Sequence, residues 1–470
     1  MSEPEPVNVL MQDRPYASIA DRLLAGRALR KRVSRPLHAE LVPASLRADP
    51  VAILESQAHH RLQSLIPMRH ARMAQSPLAF FRGAAAIMME DLARTPVSGL
   101  YVQACGDMHL SNFGLFATTE RRLVFGINDF DETLPGPWEW DVKRLAASIV
   151  VAAQDLNYTQ ALAIQAVKGM FGAYKSRMYE FAAMGYIELA QTHIDSESLL
   201  MPFSNAFKAA LEQSMTKARG RNNLHVLEKM TDLVDQSHRL IDRPPFIVHE
   251  EQTEEGDPVL PLVNQALDGY MSSLPANRRM LLARYRLVDF ARQVVGIGSV
   301  GMPCWIFYLE GSSERDPLFL QFKGAGLSVL APYVKRSLFK NQGQRVVVGQ
   351  HQLQGAPDMF LGHGRLERRA GKSDFYVRQL RDMKGGIRIS TKHLNAKIFK
   401  DYCALCGWSL ALGHAKSGDA AMISGYIGQS DTLQSAVLEF ALRYAEQNNA
   451  DYRLFLSAID SGRIPSTTVY

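Results

Sequence analysis

Between positions 16 and 65 apolar residues recur at helical spacing among charged ones. Pro36, Pro43 and Pro50 interrupt the run, so short helices separated by breaks are predicted there. Residues 1–15 have no such period and are expected to be disordered. A helix is predicted over 77–92, with Ser76 as N-cap, Pro77 at the first helical position, and Phe80, Phe81, Met88 and Leu92 among its apolar residues. A short strand over 100–104 and a strand-like run over 122–127 follow, then a buried helix over 138–156. Residues 158–240 carry helical period with few glycines, 241–262 read as a connection, and a helix resumes over about 262–291. The texture then changes. Residues 294–322 are rich in aromatic and β-branched side chains, with runs at 305–309 and 318–322 around a turn at 311–317. Residues 346–361 are mixed, 375–380 read as a strand, and 392–460 are helical again. No internal repeat is visible.

This pattern describes an α+β protein with a large helical portion. It divides into a helical block over 16–285, a β-rich block over 286–385 and C-terminal helices over 386–470 that return to the first block. A chain of 470 residues has room for two or three domains. The 47% hydrophobic and 21% charged contents are globular values. No apolar run approaches bilayer-spanning length, and the acidic, proline-containing start lacks the pattern of a secretory signal. Four cysteines do not make a disulfide framework in so long a chain. A cytoplasmic protein without a membrane partner is expected. The formal charge of +6 is mild and suits an anionic ligand. The densest basic cluster, over 27–35, reads as the solvated face of a helix. No RNA-binding repeat is visible, so no nucleic-acid partner is expected.

The densest candidate chemistry lies in Cys105-Gly106-Asp107-Met108-His109-Leu110-Ser111-Asn112, followed after the strand-like run by Asp129-Phe130-Asp131-Glu132. Either segment alone could be turn chemistry. Together they match the arrangement by which kinases hold a phosphoryl group. One Asp orients the acceptor hydroxyl, an Asn five residues on holds a metal, and a later Asp holds Mg²⁺ on the phosphates. Asp107, Asn112 and Asp129 are the candidates for these three places. Asp131 is a possible additional metal ligand.

A second constellation is Gly296-Ile297-Gly298-Ser299-Val300-Gly301. A Rossmann turn of this spacing must open a helix, whereas here an aromatic, β-branched run follows. A glycine loop between two strands is instead the flap that covers phosphates in kinases. Gly296, Gly298, Ser299 and Gly301 are its candidate nucleotide contacts. The next strand ends at Lys323, where kinases keep the lysine that pairs with the α- and β-phosphates. Gly371-Lys372-Ser373 resembles the end of a Walker A loop, but Leu366 stands where the first glycine is required. It reads as a solvated turn. Cys403 and Cys406 lack the second pair a zinc site wants and read as small buried residues. Arg69, Arg72 and Arg82 could contact an anion, with structural roles favoured.

The segments 105–114, 123–147, 294–301, 318–330, 376–384 and 407–419, together with Ser76-Pro77-Leu78-Ala79-Phe80-Phe81-Arg82-Gly83-Ala84, resemble the bacterial domain-of-unknown-function family 2252. A second resemblance, to the aminoglycoside-phosphotransferase branch of the protein-kinase-like fold, rests on Asp107-x-His109-x-x-Asn112, the Asp129 cluster and Trp140-Asp141-x-x-x-Leu145-Ala146. It also rests on Leu410-Ala411-Leu412-Gly413-His414-Ala415, similar to the helix before the catalytic loop of such kinases. This resemblance implies a two-lobe fold, circularly permuted here because the glycine loop and lysine follow the catalytic loop. It implies ATP and Mg²⁺ or Mn²⁺ as cofactors, phosphoryl transfer to a hydroxyl of a small-molecule partner, and Asp141 as the buried support of the Asp107 loop. His109 would serve loop structure. One departure stands out: no Asp or Glu lies between Lys323 and Pro357, where kinases place the helix Glu that pairs with the lysine. AMP transfer on the same fold, or a nucleotide-binding pseudokinase, are the alternatives.

Overall fold

The computed structural model describes residues 17–195, 203–296, 298, 300–369, 371–380, 383–387, 389–390 and 394–467. The disorder expected over 1–15 and the candidate Ser299 lie outside them.

Helix α1 (Ile19–Ala28) opens on a capping box in which Ser18 Oγ accepts from Asp21 N and the Asp21 carboxylate accepts from Ser18 N. Helix α2 (Pro50–Ala58) begins at Pro50. A proline at the first position has no amide to lose, so this residue starts a helix where a break was expected. After α3 (Ile66–Met73), the single helix expected over 77–92 is two. These are α4 (Pro77–Gly83), capped by Ser76 Oγ accepting from Ala79 N at 3.2 Å, and α5 (Ala85–Leu92). They meet at Ala84, whose φ of −113° and ψ of 30° are not helical. Gly83 lets α4 approach α3 closely, since a Cβ there would lie 2.6 Å from Met73 Sδ.

Strand β1 (Tyr101–Ala104) pairs with β4 (Leu134–Pro137), and β2 (Phe113–Ala117) pairs with β3 (Leu123–Ile127), both antiparallel. Helix α6 (Trp138–Asp155) is buried at every position over 138–153, the signature of a helix surrounded by others. Helices α7 (Gln160–Ala182) and α8 (Tyr186–Gln191) follow, then β5 (Ile194–Asp195), α9 (Asn205–Arg219) and α10 (Asn223–Met230). The helical expectation for 158–240 fails at its end. Strands β6 (Thr231–Val234) and β7 (Ser237–Leu240) form a hairpin whose two turn residues, Asp235 and Gln236, have φ of 47° and 64°.

After β8 (Ile247–Val248), helices α11 (Val259–Ser273) and α12 (Ala276–Leu282) end before Arg286. The rest of the expected helix is β9 (Arg286–Gln293), which pairs with β10 (Cys304–Glu310). Strand β11 (Pro317–Ala325), helix α13 (Gln342–Gln354), and strands β12 (Gly362–Arg368) and β13 (Gly371–Gln379) complete an antiparallel sheet of order β12-β13-β11-β10-β9-β8. Successive side chains on a strand alternate between faces. Phe307, Leu320, Phe322, Phe375 and Val377 meet α11 on one face, with the Phe307 and Phe322 rings stacked at 4.0 Å. Ile306, Tyr308 and Phe319 lie on the other face, which Lys323 shares by register. The Gly371-Lys372-Ser373 run, expected as a solvated turn, is instead the start of β13, where Lys372 pairs with Glu367 and Ser373 with Leu366 of β12 and Gly371 has a φ of 110°. Helices α14 (Ala396–Ser417), α15 (Ala420–Ile427) and α16 (Thr432–Asp460) return to the main core, α14 along α7, α15 along α1 and α16 against α6. No helix among the described residues is long and apolar enough to cross a membrane.

Candidate active site

The loop after β1 is held from beneath. Gly106 adopts φ of 79°, and a Cβ there would lie 2.8 Å from the Glu132 carbonyl oxygen. Asp141, in the first turn of α6 and fully buried, accepts from Cys105 N at 2.7 Å and from Gly106 N at 3.0 Å. His414 of α14 donates from Nε2 to Asp141 at 3.3 Å, and its Nδ1 accepts from the Tyr174 hydroxyl at 2.8 Å. Farther along, Leu110 N donates to Ser148 Oγ at 3.2 Å and the Tyr402 hydroxyl donates to Leu110 O at 2.7 Å. The Asn112 side-chain amide donates to Asp107 O at 2.5 Å, and Asn128 N donates to Asn112 O at 3.0 Å.

This support leaves the Asp107 carboxylate on the surface of the loop. Arg144, buried on α6, donates to Asp107 Oδ1 from Nε at 2.9 Å and from Nη2 at 2.5 Å. The second oxygen, Oδ2, lies 3.7 Å from His109 Nε2, and a Cβ on Gly298 would sit 3.9 Å from it. Burial pushes His109 down to about 3, so its ring is neutral at physiological pH. Its Nδ1 accepts from Ser111 N at 3.2 Å, which puts the ring proton on Nε2, toward Asp107.

The acidic cluster after β3 separates into three roles. Burial, and then the neighbouring Asp131 carboxylate, raise Asp129 above the ordinary carboxylate range. Burial would raise Asp131 as well, but an ion pair with Lys323 Nζ and a 2.7 Å hydrogen bond from the Tyr376 hydroxyl outweigh it and bring the group down to about 2. Glu132 is raised to about 7 by burial, although its carboxylate accepts from Val329 N at 2.7 Å. Lys323 and Asp131 are 192 residues apart in sequence. The helix after the lysine strand, α13, sends an arginine to the site in place of an acid. Arg345 donates to the carbonyls of Thr133, Asp131 and Gly326 at 2.6, 2.8 and 2.9 Å and so clasps the acidic loop.

One cavity of about 670 Å³, open to solvent, gathers most of these groups. Asp107, Asn112, Asp129 and Asp131 line it, as do Gly296 and Gly298 from the glycine loop. Lys323 adjoins them through Asp131. Gly301, at φ of 87°, packs against Arg61, and Leu62 N donates to its carbonyl at 2.8 Å. Arg61 Nη1 holds the loop further by donating to the Gly298 and Val300 carbonyls at 3.0 and 2.6 Å.

Sequence reasoning had passed over Glu132, Arg61 and Arg144, and had favoured structural roles for Arg69 and Arg82, both of which line the cavity. Arg72 contacts Val295 O at 3.5 Å and the Phe246 ring instead. The proline-bounded Ser76–Ala84 motif was the one available signal, because it carries Arg82 and Gly83. Cys403 and Cys406 are buried free thiols on α14.

No group of three His, Cys, Asp or Glu side chains among the described residues is arranged to hold a metal by itself. The donor set still fits magnesium. The ion is commonly bound by one or two protein oxygens with the remainder from phosphate and water. Asn112 spends its amide nitrogen on Asp107 O, which frees Oδ1, and Asp129 accepts one long bond, from Asp131 N at 3.4 Å.

The molecule is thus a mixed α+β protein in which an antiparallel sheet delivers a lysine and a glycine loop to an acidic loop on a helical body. The chain belongs to a family described as uncharacterized proteins conserved in bacteria (DUF2252), which it matches over residues 61–458. No curated protein and no solved structure matches it.

Proposed function

We propose that this chain is an ATP- and magnesium-dependent phosphotransferase acting on a hydroxyl of a small molecule, on a circularly permuted, protein-kinase-like two-lobe fold. The observation that carries the reading is the shared cavity. Two constellations far apart in sequence, each holding half of a kinase phosphate site, line it or adjoin it. Strand order supports it too. The glycine loop joins β9 to β10, Lys323 stands on β11, the third strand of that series, and α13 follows. Kinases place their flap, lysine and next helix in that succession.

In this reading Lys323 and the amides of the glycine loop hold the nucleotide phosphates. Magnesium, held by Asn112 Oδ1 and Asp129 with phosphate oxygens, would supply charge neutralisation. Asp107, fixed through Oδ1 by Arg144, turns Oδ2 to the acceptor hydroxyl and takes its proton. The acceptor oxygen bonds to the terminal phosphorus, the bond from that phosphorus to the bridging oxygen breaks, and ADP leaves with the electron pair.

A second reading, a nucleotide-binding pseudokinase, is favoured by one observation: α13 carries Arg345 and no acid toward the site. Incubation with Mg-ATP and fractionated metabolite pools, followed by mass spectrometry, separates the two. The enzyme adds a phosphoryl group to a pool component, and Asp107→Asn slows that about 10²–10⁴-fold while leaving ATP affinity nearly intact. Addition of an adenylyl group would move the reading to AMP transfer. ATP binding with no transfer to any pool would hand the site to the pseudokinase.

A further inference from the structure

The cavity wall supplied by α3 and α4 is basic in a way the proposed phosphotransfer chemistry does not use. Arg69 is 1% exposed and donates from Nη2 to Gly83 O at 2.8 Å, while its Nε and Nη1 have no partner among the described residues. Arg82 lines the same cavity, and its buried Nε is likewise unpartnered among the described residues. Arg61 stands beside them and spends Nη1 on carbonyls of the glycine loop. None of the three makes an ion pair within 4 Å among the described residues, although Asp107 and Asp129 favour the charged form of Arg82, and Glu132 and Asp131 that of Arg61, from farther off. Burial, and then Arg61, disfavour the charged form of Arg69, so the fold keeps this guanidinium at a cost. The helices are built to bring it there, because Gly83 both accepts from Arg69 and permits the close approach of α4 to α3.

We propose that Arg69 and Arg82, with Arg61 at the glycine loop, form a receptor for a phosphoryl group beside Asp107. Forked, planar donors match the several oxygens of a phosphoryl group, and more than one guanidinium is needed to balance its charge. The proximity of Asp107 and Gly298, both lining the cavity with these arginines, places the group where transfer would occur. This deepens the phosphotransferase reading and rests on it only for the source of the group. That source is either the terminal phosphate of the nucleotide or a phosphate on the acceptor.

The test is calorimetric titration and thermal shift on the full chain with inorganic phosphate, against chloride at matched ionic strength. Phosphate should bind wild type, and Arg69→Met and Arg82→Gln should each weaken it about tenfold or more, the worth of one charge-assisted hydrogen bond. Should Arg69→Met fail to fold, Arg82→Gln, on a half-buried residue, carries the test alone. Titrations with Mg-ATP, ADP and AMP then assign the source. Loss of ATP affinity in Arg82→Gln with ADP and AMP affinities kept points to the terminal phosphate. Unchanged nucleotide affinities with lost phosphate binding point to a phosphorylated acceptor. Wild type unmoved by phosphate beyond the chloride effect, or equal phosphate binding in wild type and the variants, overturns the receptor. Wild type that binds phosphate through the arginines but binds no ATP leaves the receptor standing and removes only the nucleotide reading.

Discussion

Replacing Glu132 by Gln should make the protein more stable, and by an amount that grows with pH. Glu132 lines the cavity, and its carboxyl is raised from 4.5 to about 7, mainly by burial. At 1.36 kcal/mol per pH unit, that interval is worth about 3 kcal/mol as an upper figure. Below pH 4.5 the folded and unfolded chains both hold the proton. Between 4.5 and 7 the unfolded chain has lost it while the folded chain keeps it, so stability falls as pH rises. Above 7 the whole cost of the buried charge is present. Gln keeps an oxygen to accept from Val329 N, as Glu132 does at 2.7 Å, so the packing contact survives. Arg345, Asp131 and Asp107 also act on Glu132 and are present in both proteins, which is why the comparison is a difference. Urea midpoints of wild type and Glu132→Gln across pH 4 to 8.5 give that difference directly. It should be smallest near pH 4 and approach about 3 kcal/mol in favour of Gln by pH 8. A difference that does not change with pH would mean that Glu132 is not held protonated by its surroundings.

Asp141→Ala leaves Cys105 N and Gly106 N buried without an acceptor and should cost about 3–5 kcal/mol in chemical denaturation, with Asp141→Asn costing less because one oxygen remains. Lys323→Met leaves the partly exposed Asp131 carboxylate without its cation, with the Tyr376 hydroxyl still donating to it, and should cost about 1–3 kcal/mol. The double variant with Asp131→Asn should recover most of that, and a double variant no better than the single one would count against a direct pair.

The parts of this molecule that were legible in the sequence are those whose chemistry is local. The Asp107 loop, the acidic cluster and the glycine loop each declare themselves within a few residues, because loops and turns need particular residue types in order. Ser76 and Pro77 mark a helix start by the same local logic, and the cap is present. Joints and partners were harder. Apolar spacing runs through Ala84 without a gap, so the break between α4 and α5 left no trace in periodicity. The β6–β7 hairpin turns on Asp235 and Gln236 rather than on glycine, and β9 carries a mixed burial pattern in place of clean alternation. The absence of an acid after Lys323 gave no hint that Asp131 would pair with it. That contact depends on how the sheet sits against the acidic loop, which no short stretch of sequence encodes. Nor does local pattern distinguish Arg69 and Arg82 from ordinary helix arginines, since their significance lies in the cavity they share.

In the proposed function, the acidic loop and the lysine strand together form one metal–nucleotide site. Its most direct test is calorimetric titration of Mg-ATP into wild type and Asp129→Asn, each with magnesium present and with magnesium removed by chelator. Wild type should bind ATP and lose affinity without the metal, while Asp129→Asn should bind weakly and be nearly indifferent to magnesium. Wild type that binds no ATP with magnesium or manganese, or an Asp129→Asn variant that responds to magnesium as wild type does, would contradict it.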